Sequence, residues 1–397
     1  DGGDGLYAPM ATFGRDSELQ QPQGTIAAQV LCASPQQLRA AMSSAVGLAD
    51  IPCIYIPKEE QEVLPSLSDF ATELQGWNHT TLEFQQFSHG SRKNAKMTGH
   101  MPISDFCTRL DERRSNASIP TLLDAGAPPH NFLDISGSKL ELHRRPTVLD
   151  ILKLRLLGRT VKRVHAQYYR GPRALGKEYA EHRPTSKLQH VDLESCLKFV
   201  LYGERGAASG YHMDVLNGTY VHAVSGFKLW FIPTRPLTHQ EQRNFGQEGV
   251  TWKPPVDLFR AVLLCPGDIL IMRPGYFIPH FVLTGEDSLM MGGMEWTTDS
   301  VPSVLDQLRF IIPRYNSTNE PVPRQLTQVL DALPDLAPEH KECVMRFTAE
   351  LKDRKLLCCT CVAECTQECA CINPESTYRG CTSWCHNGEV LRCCEDQ

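Results

Sequence analysis

The stretch 201–296 constrains this chain most, and its centre is Tyr211-His212-Met213-Asp214. Alternate side chains of a β-strand share a face, so His212 and Asp214 point one way and Met213 the other. His280 follows 68 residues after His212, in Arg273-Pro274-Gly275-Tyr276-Phe277-Ile278-Pro279-His280. Before it, Pro266-Gly267-Asp268 reads as a turn and Ile269-Leu270-Ile271-Met272 as a buried strand. An H-x-D triplet alone is weak, because such triplets arise by chance and a strand histidine is usually just packed. An imidazole and a carboxylate on one face, joined by a distant histidine, form the facial donor set that leaves open positions on non-heme Fe(II). That combination makes His212, Asp214 and His280 the expected iron ligands.

A second clue lies between these residues. Phe227-Lys228-Leu229-Trp230-Phe231-Ile232 is apolar except for Lys228, which alternation places on one face with Trp230 and Ile232. An ammonium buried in an apolar strand is costly unless an anion meets it. If the inward face lines a metal cavity, a dicarboxylate cosubstrate supplies that anion; otherwise Lys228 is an edge-strand lysine facing water.

These residues resemble the JmjC-type Fe(II)/2-oxoglutarate oxygenases: the H-x-D, the lysine in the next aromatic strand, and G-D-x-L-x-x-x-P-G-x-x-x-x-H. Arg145-Pro146-Thr147-Val148-Leu149-Asp150 and Asp287-Ser288-Leu289-Met290-Met291-Gly292-Gly293 narrow the likeness to the H-x-D type of JmjC histone lysine demethylases. The resemblance covers roughly 125–312. It implies a mainly β fold with helical additions, built on a double-stranded β-helix (a cupin-like jelly roll). It also implies Fe(II) and 2-oxoglutarate as cofactors, a histone or other protein as substrate, and a nuclear location. By the same resemblance Lys228 meets the far carboxylate of 2-oxoglutarate, and Ser209, three residues before His212, supplies a hydroxyl to it; a simple turn serine is the alternative. Asn131, on an early core strand, is a further candidate contact. One departure stands out: seven residues before the lysine, where several relatives carry a tyrosine, this chain has Val221, flanked by Tyr220 and His222.

The chain has 397 residues, room for one large domain with additions or for two. A hydrophobic fraction of 41% and a charged fraction of 22% are those of an ordinary globular protein. The net charge of −6 argues against nucleic-acid binding by the whole surface. No apolar run approaches the ~20 residues of a membrane span, and no secretory pattern opens the sequence, which starts at Asp1. The N-x-S/T triplets at Asn78, Asn116, Asn217 and Asn316 read as chance.

Four parts are expected: a helix–strand cap over 1–125, the β-core over 126–300 with a basic helical insert at 144–187, helices over 301–356, and a cysteine-rich tail over 357–397. In the cap, a serine-capped helix spans 34–42, a strand 52–57, a helix 67–74 and a strand 81–87; 88–130 reads as polar loop, with a basic patch at 91–96. The insert holds twelve Lys or Arg against three acidic residues. It contains a helix over 148–157 capped by Thr147, then basic residues interleaved with aromatics, a surface suited to DNA phosphates or a nucleosome's acidic patch, or else a solvated face. Beyond Trp296, helices are expected over 303–311, 324–333 and 338–351.

Ten of the sixteen cysteines lie between Cys358 and Cys394. So many in a segment with little apolar residue require cross-links or metal. Cys361, Cys365, Cys369, Cys371, Cys381 and Cys385 are the candidate Zn ligands, and disulfides are the competing reading. Three functions follow: a lysine demethylase releasing formaldehyde, a protein hydroxylase, or a catalytically weak JmjC scaffold on chromatin.

Overall fold

The computed structural model describes residues 29–43, 48, 51–58, 63–87, 96–115, 129–169, 188–189, 193–320, 322–323 and 325–353. The chain enters through β1 (Val30–Cys32), α1 (Pro35–Ser43), β2 (Cys53–Ile56), α2 (Leu67–Gln75), β3 (Thr81–Phe87), β4 (Lys96–Pro102) and α3 (Ile103–Ser115). Then come β5 (Asn131–Ser136), α4 (Val148–Ile151), α5 (Leu156–Tyr169), α6 (Leu193–Leu197), β6 (Phe199–Gly203), β7 (Ala208–His212), β8 (Thr219–Ser225) and β9 (Lys228–Pro233). The last part holds α7 (His239–Glu248), β10 (Phe259–Leu264), β11 (Ile269–Met272), β12 (His280–Thr284), β13 (Ser288–Met294), α8 (Val301–Ile311), α9 (Leu326–Leu336) and α10 (Lys341–Asp353).

Two sheets organise these strands. The larger has the order β1-β2-β11-β8-β13-β6-β5-β3-β4 and the smaller β10-β9-β12-β7. Every named pairing is antiparallel except β1 with β2. Phe199, Val221, Ala223, Leu270, Met272, Met290 and Met294 of the large sheet share one apolar cluster with Trp230, Ile232, Val262, Leu264 and Val282 of the small one. Alternate residues of the large sheet turn the other way. Val200, Tyr202, Leu289 and Met291 pack with α2 and α3, and Tyr220, Ile269 and Ile271 pack with α1 and α4. The central strands are therefore apolar on both faces, which is why β11 and β13 are wholly buried. The expected mainly β class with helical additions holds. No helix of the described residues is long and apolar enough to cross a membrane.

Local signals placed most helices well. Ser34 Oγ accepts from Gln37 N–H at 3.2 Å, with Pro35 opening α1. Ser66 and Asp69 form a full capping box on α2. The three helices expected after Trp296 are α8, α9 and α10.

Two expectations fail. The stretch read as loop over 88–130 contains β4, paired along its whole length with β3, and the 13-residue α3. Ile103, Phe106 and Leu110 of α3 are spaced for one helical face and are buried against Phe132 and Tyr202. The surrounding charges masked that spacing. The basic patch at 91–96 falls almost wholly outside the described residues. The helix expected over 148–157 is two helices. Lys153 takes φ +55°, and the chain restarts when the Arg155 and Leu156 amides donate to Trp296 O at 3.1 and 2.9 Å. Thr147 makes no side-chain cap and is itself helical in backbone.

Charge ties α3 to the core. The buried Glu204 carboxylate accepts from the Arg109 guanidinium and from His130 N–H, the latter at 2.8 Å. Arg113 makes a two-pronged pair with Asp287, both contacts at 2.6 Å, and Asp287 also accepts from Arg205 N–H at 2.7 Å. Burial works against the Glu204 anion, but the Arg109 and His130 bonds outweigh it and hold the carboxyl at about 2. Glu295 is the reverse case: burial lifts its carboxyl to about 7, despite the Gly158 N–H it accepts at 3.1 Å.

These two carboxyls act on stability with opposite sign. Glu204 has a depressed pKa, so its contribution is complete above the ordinary 4.5 and is lost as pH falls toward about 2. Glu295 has a raised pKa, so it lowers stability as pH climbs from 4.5 through about 7. Melting temperatures measured across pH 3–8 are expected to show both slopes. Glu295→Gln removes the upper one, and Glu204→Ala destabilises by roughly 3 kcal/mol at neutral pH by stranding Arg109.

Candidate metal centre

His212 ends β7, and antiparallel pairing with β12 sets it directly opposite His280. The two rings lie 4.2 Å apart, centroid to centroid. Asp214 lies just beyond the strand end, in a turn closed by Asn217 N–H donating to Asp214 O at 3.1 Å. Its Oδ1 is 3.8 Å from His212 Nε2 and 3.7 Å from His280 Nε2. One ligand atom from each residue falls within 4.8 Å of the others. Among the described residues no other group of His, Cys, Asp and Glu converges this way. Met213 points away, into a cluster with Phe245, Trp252 and Phe259. The alternation expected at 212–214 holds even though the strand itself stops at His212.

The donors suit a divalent cation. His212 Nδ1 faces Gly210 O at 2.7 Å and His280 Nδ1 faces Ile278 O at 3.2 Å. A carbonyl can only accept, so each Nδ1 carries the proton and each Nε2 presents a lone pair. The His280 Nε2 is buried and has no hydrogen-bond partner. A buried acceptor without a donor is unfavourable, and a metal ion answers it. Trp230 stacks on the His280 ring, centroids 5.2 Å apart at 23°, and fixes its plane.

Lys228 sits on the same inward face. It is 2% exposed, and burial lowers its ammonium to about 8. Among the described residues no carboxylate pairs with it. Opposite it on β12 is Thr284, so Thr284, Val282 and His280 line one face, with Trp230 across from Val282. Gly203 shows how tightly the polar groups gather. A Cβ there would lie 2.7 Å from Thr284 Oγ1, 2.8 Å from Lys228 Nζ and 3.1 Å from Asn131 Oδ1. Asn131 Nδ2 donates to Ser209 Oγ at 2.9 Å, and its buried Oδ1 has no partner. The expected Lys228, Asn131 and Ser209 thus come together, with Thr284 and Gly203 added.

A β-bulge explains Ser209. Ser209 lies three positions before His212, so strict alternation would place them on opposite faces. The register shifts between His280↔His212 and Val282↔Ser209, leaving Gly210 and Tyr211 together opposite Phe281. The extra residue restores Ser209 to the inward face. Thr284 was legible as the second alternate residue after His280; nothing local marked Gly203. Val221 also faces inward and is fully buried, whereas Tyr220 packs in the outer cluster with α4. Tyr220 thus does not stand in for the tyrosine expected at Val221.

The zinc candidates Cys361, Cys365, Cys369, Cys371, Cys381 and Cys385 lie outside the described residues. The six described cysteines (Cys32, Cys53, Cys107, Cys196, Cys265 and Cys343) form no disulfide with one another. In the basic insert, Arg155, Arg159 and Lys162 are exposed at helical spacing. Arg163 pairs with Asp335, and Arg145 pairs with Asp150 at 2.8 Å. The insert beyond Tyr169 is outside the described residues up to Lys187.

No protein-family model matches the chain. A protein of Curvularia clavata named KK-1 biosynthesis cluster protein D is 33% identical over 153 residues, which is 38% of this chain. The alignment spans 15% of that relative's length.

Asp214 is the only carboxylate of the triad. Asp214→Ala is expected to weaken Co(II) binding by more than roughly 100-fold, beyond the 10–100-fold usual for outer partners of a ligand. Titration followed by the visible absorption of Co(II) checks this, with the apo melting temperature as control.

Proposed function

We propose that this chain is an Fe(II)- and 2-oxoglutarate-dependent oxygenase of the JmjC type. The observation that carries the reading is the meeting of two sites on one inward face: the His212, Asp214 and His280 donors, and a buried Lys228 with no anion of its own. The facing sheets are compatible with a cupin-like core. The relative's name, which places it in a biosynthesis cluster, fits an enzyme that modifies a substrate.

His212, Asp214 and His280 would hold iron through three donors. Iron so held would supply oxygen activation coupled to decarboxylation of the 2-oxo acid, giving succinate, CO2 and one oxygen atom inserted into a substrate C–H bond. The other residues bind and orient. Lys228 Nζ and Thr284 Oγ1 receive the far carboxylate of 2-oxoglutarate, in a space that Gly203 keeps open by lacking a side chain and that Asn131 borders. Burial makes that ion pair stronger than it would be in water and keeps solvent from the reacting centre. Trp230 and Val282 wall the space between the two sites.

Two substrate classes follow. The H-x-D demethylase resemblance favours an N-methyl-lysine in a histone-like protein, where the hydroxylated methyl leaves as formaldehyde. The biosynthesis-cluster relative favours oxidation of a biosynthetic intermediate, where the product is a stable alcohol. Turnover of 2-oxoglutarate with Fe(II) on methylated histone peptides separates them. Formaldehyde that disappears in His212→Ala is the demethylase result. Uncoupled 2-oxoglutarate consumption with no formaldehyde from any peptide points to the second class. No 2-oxoglutarate consumption by the iron-loaded protein, with or without peptide, sinks the oxygenase reading.

The Lys228 environment adds a pH signature. With the free ammonium held at about 8, binding of 2-oxoglutarate above that pH takes up a proton from solvent to charge Lys228. Its Kd is expected to rise about tenfold per pH unit above 8, as calorimetry can measure, and Lys228→Met is expected to bind weakly without that slope. Gly203→Ala should raise the 2-oxoglutarate Kd at least tenfold while leaving Co(II) affinity unchanged.

A further inference from the structure

His212 and His280 are joined by strand pairing, but Asp214 is not. It lies past the end of β7, where no ladder fixes it against the strand that carries His280. The chain needs another device to hold Asp214 Oδ1 3.7 Å from His280 Nε2. We infer that Asn217 is that device, a positioning residue that clamps the turn after Asp214 to the loop that delivers His280. The inference rests on the metal reading and adds a residue to it.

Asn217 is buried and holds φ +61°, a left-handed conformation that asparagine tolerates better than most residues. That conformation turns its amide toward the segment ahead of β12. Its Oδ1 accepts Gly275 N–H at 2.7 Å, and its Nδ2 donates to Tyr276 O at 2.9 Å. The side chain thus pairs with two successive backbone groups, using a donor and an acceptor at once. Asn217 lies three positions after Asp214, and Tyr276 lies four before His280, so the clamp is short on both sides. The turn is anchored independently as well. Glu295 N–H donates to Gly218 O at 2.9 Å, and Trp296 Nε1 donates to Leu216 O at 2.8 Å. Those contacts tie the turn to the end of β13, and Met213 N–H donates to Ser317 O at 2.8 Å, whereas the Asn217 bonds reach the His280 loop, which Val215 and Leu216 meet by apolar packing with Ile278.

Aspartate and glycine distinguish a clamp from a turn former. Asn217→Gly keeps the positive φ and loses both amide bonds. Asn217→Asp keeps the acceptor for Gly275 N–H but sets an oxygen against Tyr276 O. The wild-type protein and both variants are titrated with Co(II) alone, and the visible spectrum, the affinity and the apo melting temperature are recorded. Asn217→Gly is expected to bind Co(II) roughly 10- to 100-fold more weakly, with a changed spectrum and an apo melting temperature within a few degrees of wild type. Asn217→Asp is expected to show the changed spectrum too, and decides the question alone if the glycine variant does not fold. Wild-type affinity and spectrum in the folded variants overturn the clamp. A wild-type protein that binds no Co(II) overturns instead the metal reading beneath it.

Discussion

Pairing of β7 with β12 is the constraint on which the site depends. It converts 68 residues of sequence separation into direct opposition of two imidazoles. Each ring is then oriented by a carbonyl two residues earlier in its own chain, Gly210 O or Ile278 O. The histidines thus carry their outer hydrogen bonds with them, and no second element must supply them. The pairing also needs support, because the inward face of the small sheet is apolar and must be covered. The large sheet covers it, and the cluster from Phe199 to Val282 is where the two meet.

That same burial sets the chemistry. Lys228, Thr284, Asn131 and Ser209 lie in an interior otherwise lined by Trp230, Val221 and Val282. Low polarity depresses the Lys228 ammonium and raises the value of any anion that reaches it. An unpaired buried cation weakens the fold. The opposite arrangement holds Glu204, where two guanidiniums and a backbone amide surround a buried carboxylate and fasten α3 to the core. One buried charge is satisfied within the chain, and the other has no carboxylate partner among the described residues.

Much of the site was legible because its signals are local. A strand with H-x-D shows its donors by alternation, and Lys228 stands out as the one charge in an aromatic strand. Capped helices such as α1 and α2 announce themselves through Ser34 and Ser66. What escaped notice depends on partners far away in sequence. The charges of α3 hide the spacing of Ile103, Phe106 and Leu110, and its arginines make sense only beside Glu204 and Asp287. The break at Lys153 arises because Trp296 O captures the Arg155 and Leu156 amides, a contact across 140 residues.

By itself, then, the sequence determined which groups could bind metal and anion, since the chemistry of a donor is fixed by its side chain and its local face by backbone periodicity. Tertiary structure alone decided which groups meet. The bulge at Gly210–Tyr211 brought Ser209 inward, register put Thr284 against Lys228, and Gly203 mattered only because three polar atoms converge on the space where its side chain would be. Periodicity reports direction within one strand, whereas convergence depends on the register and packing of several. Those are set by the whole core.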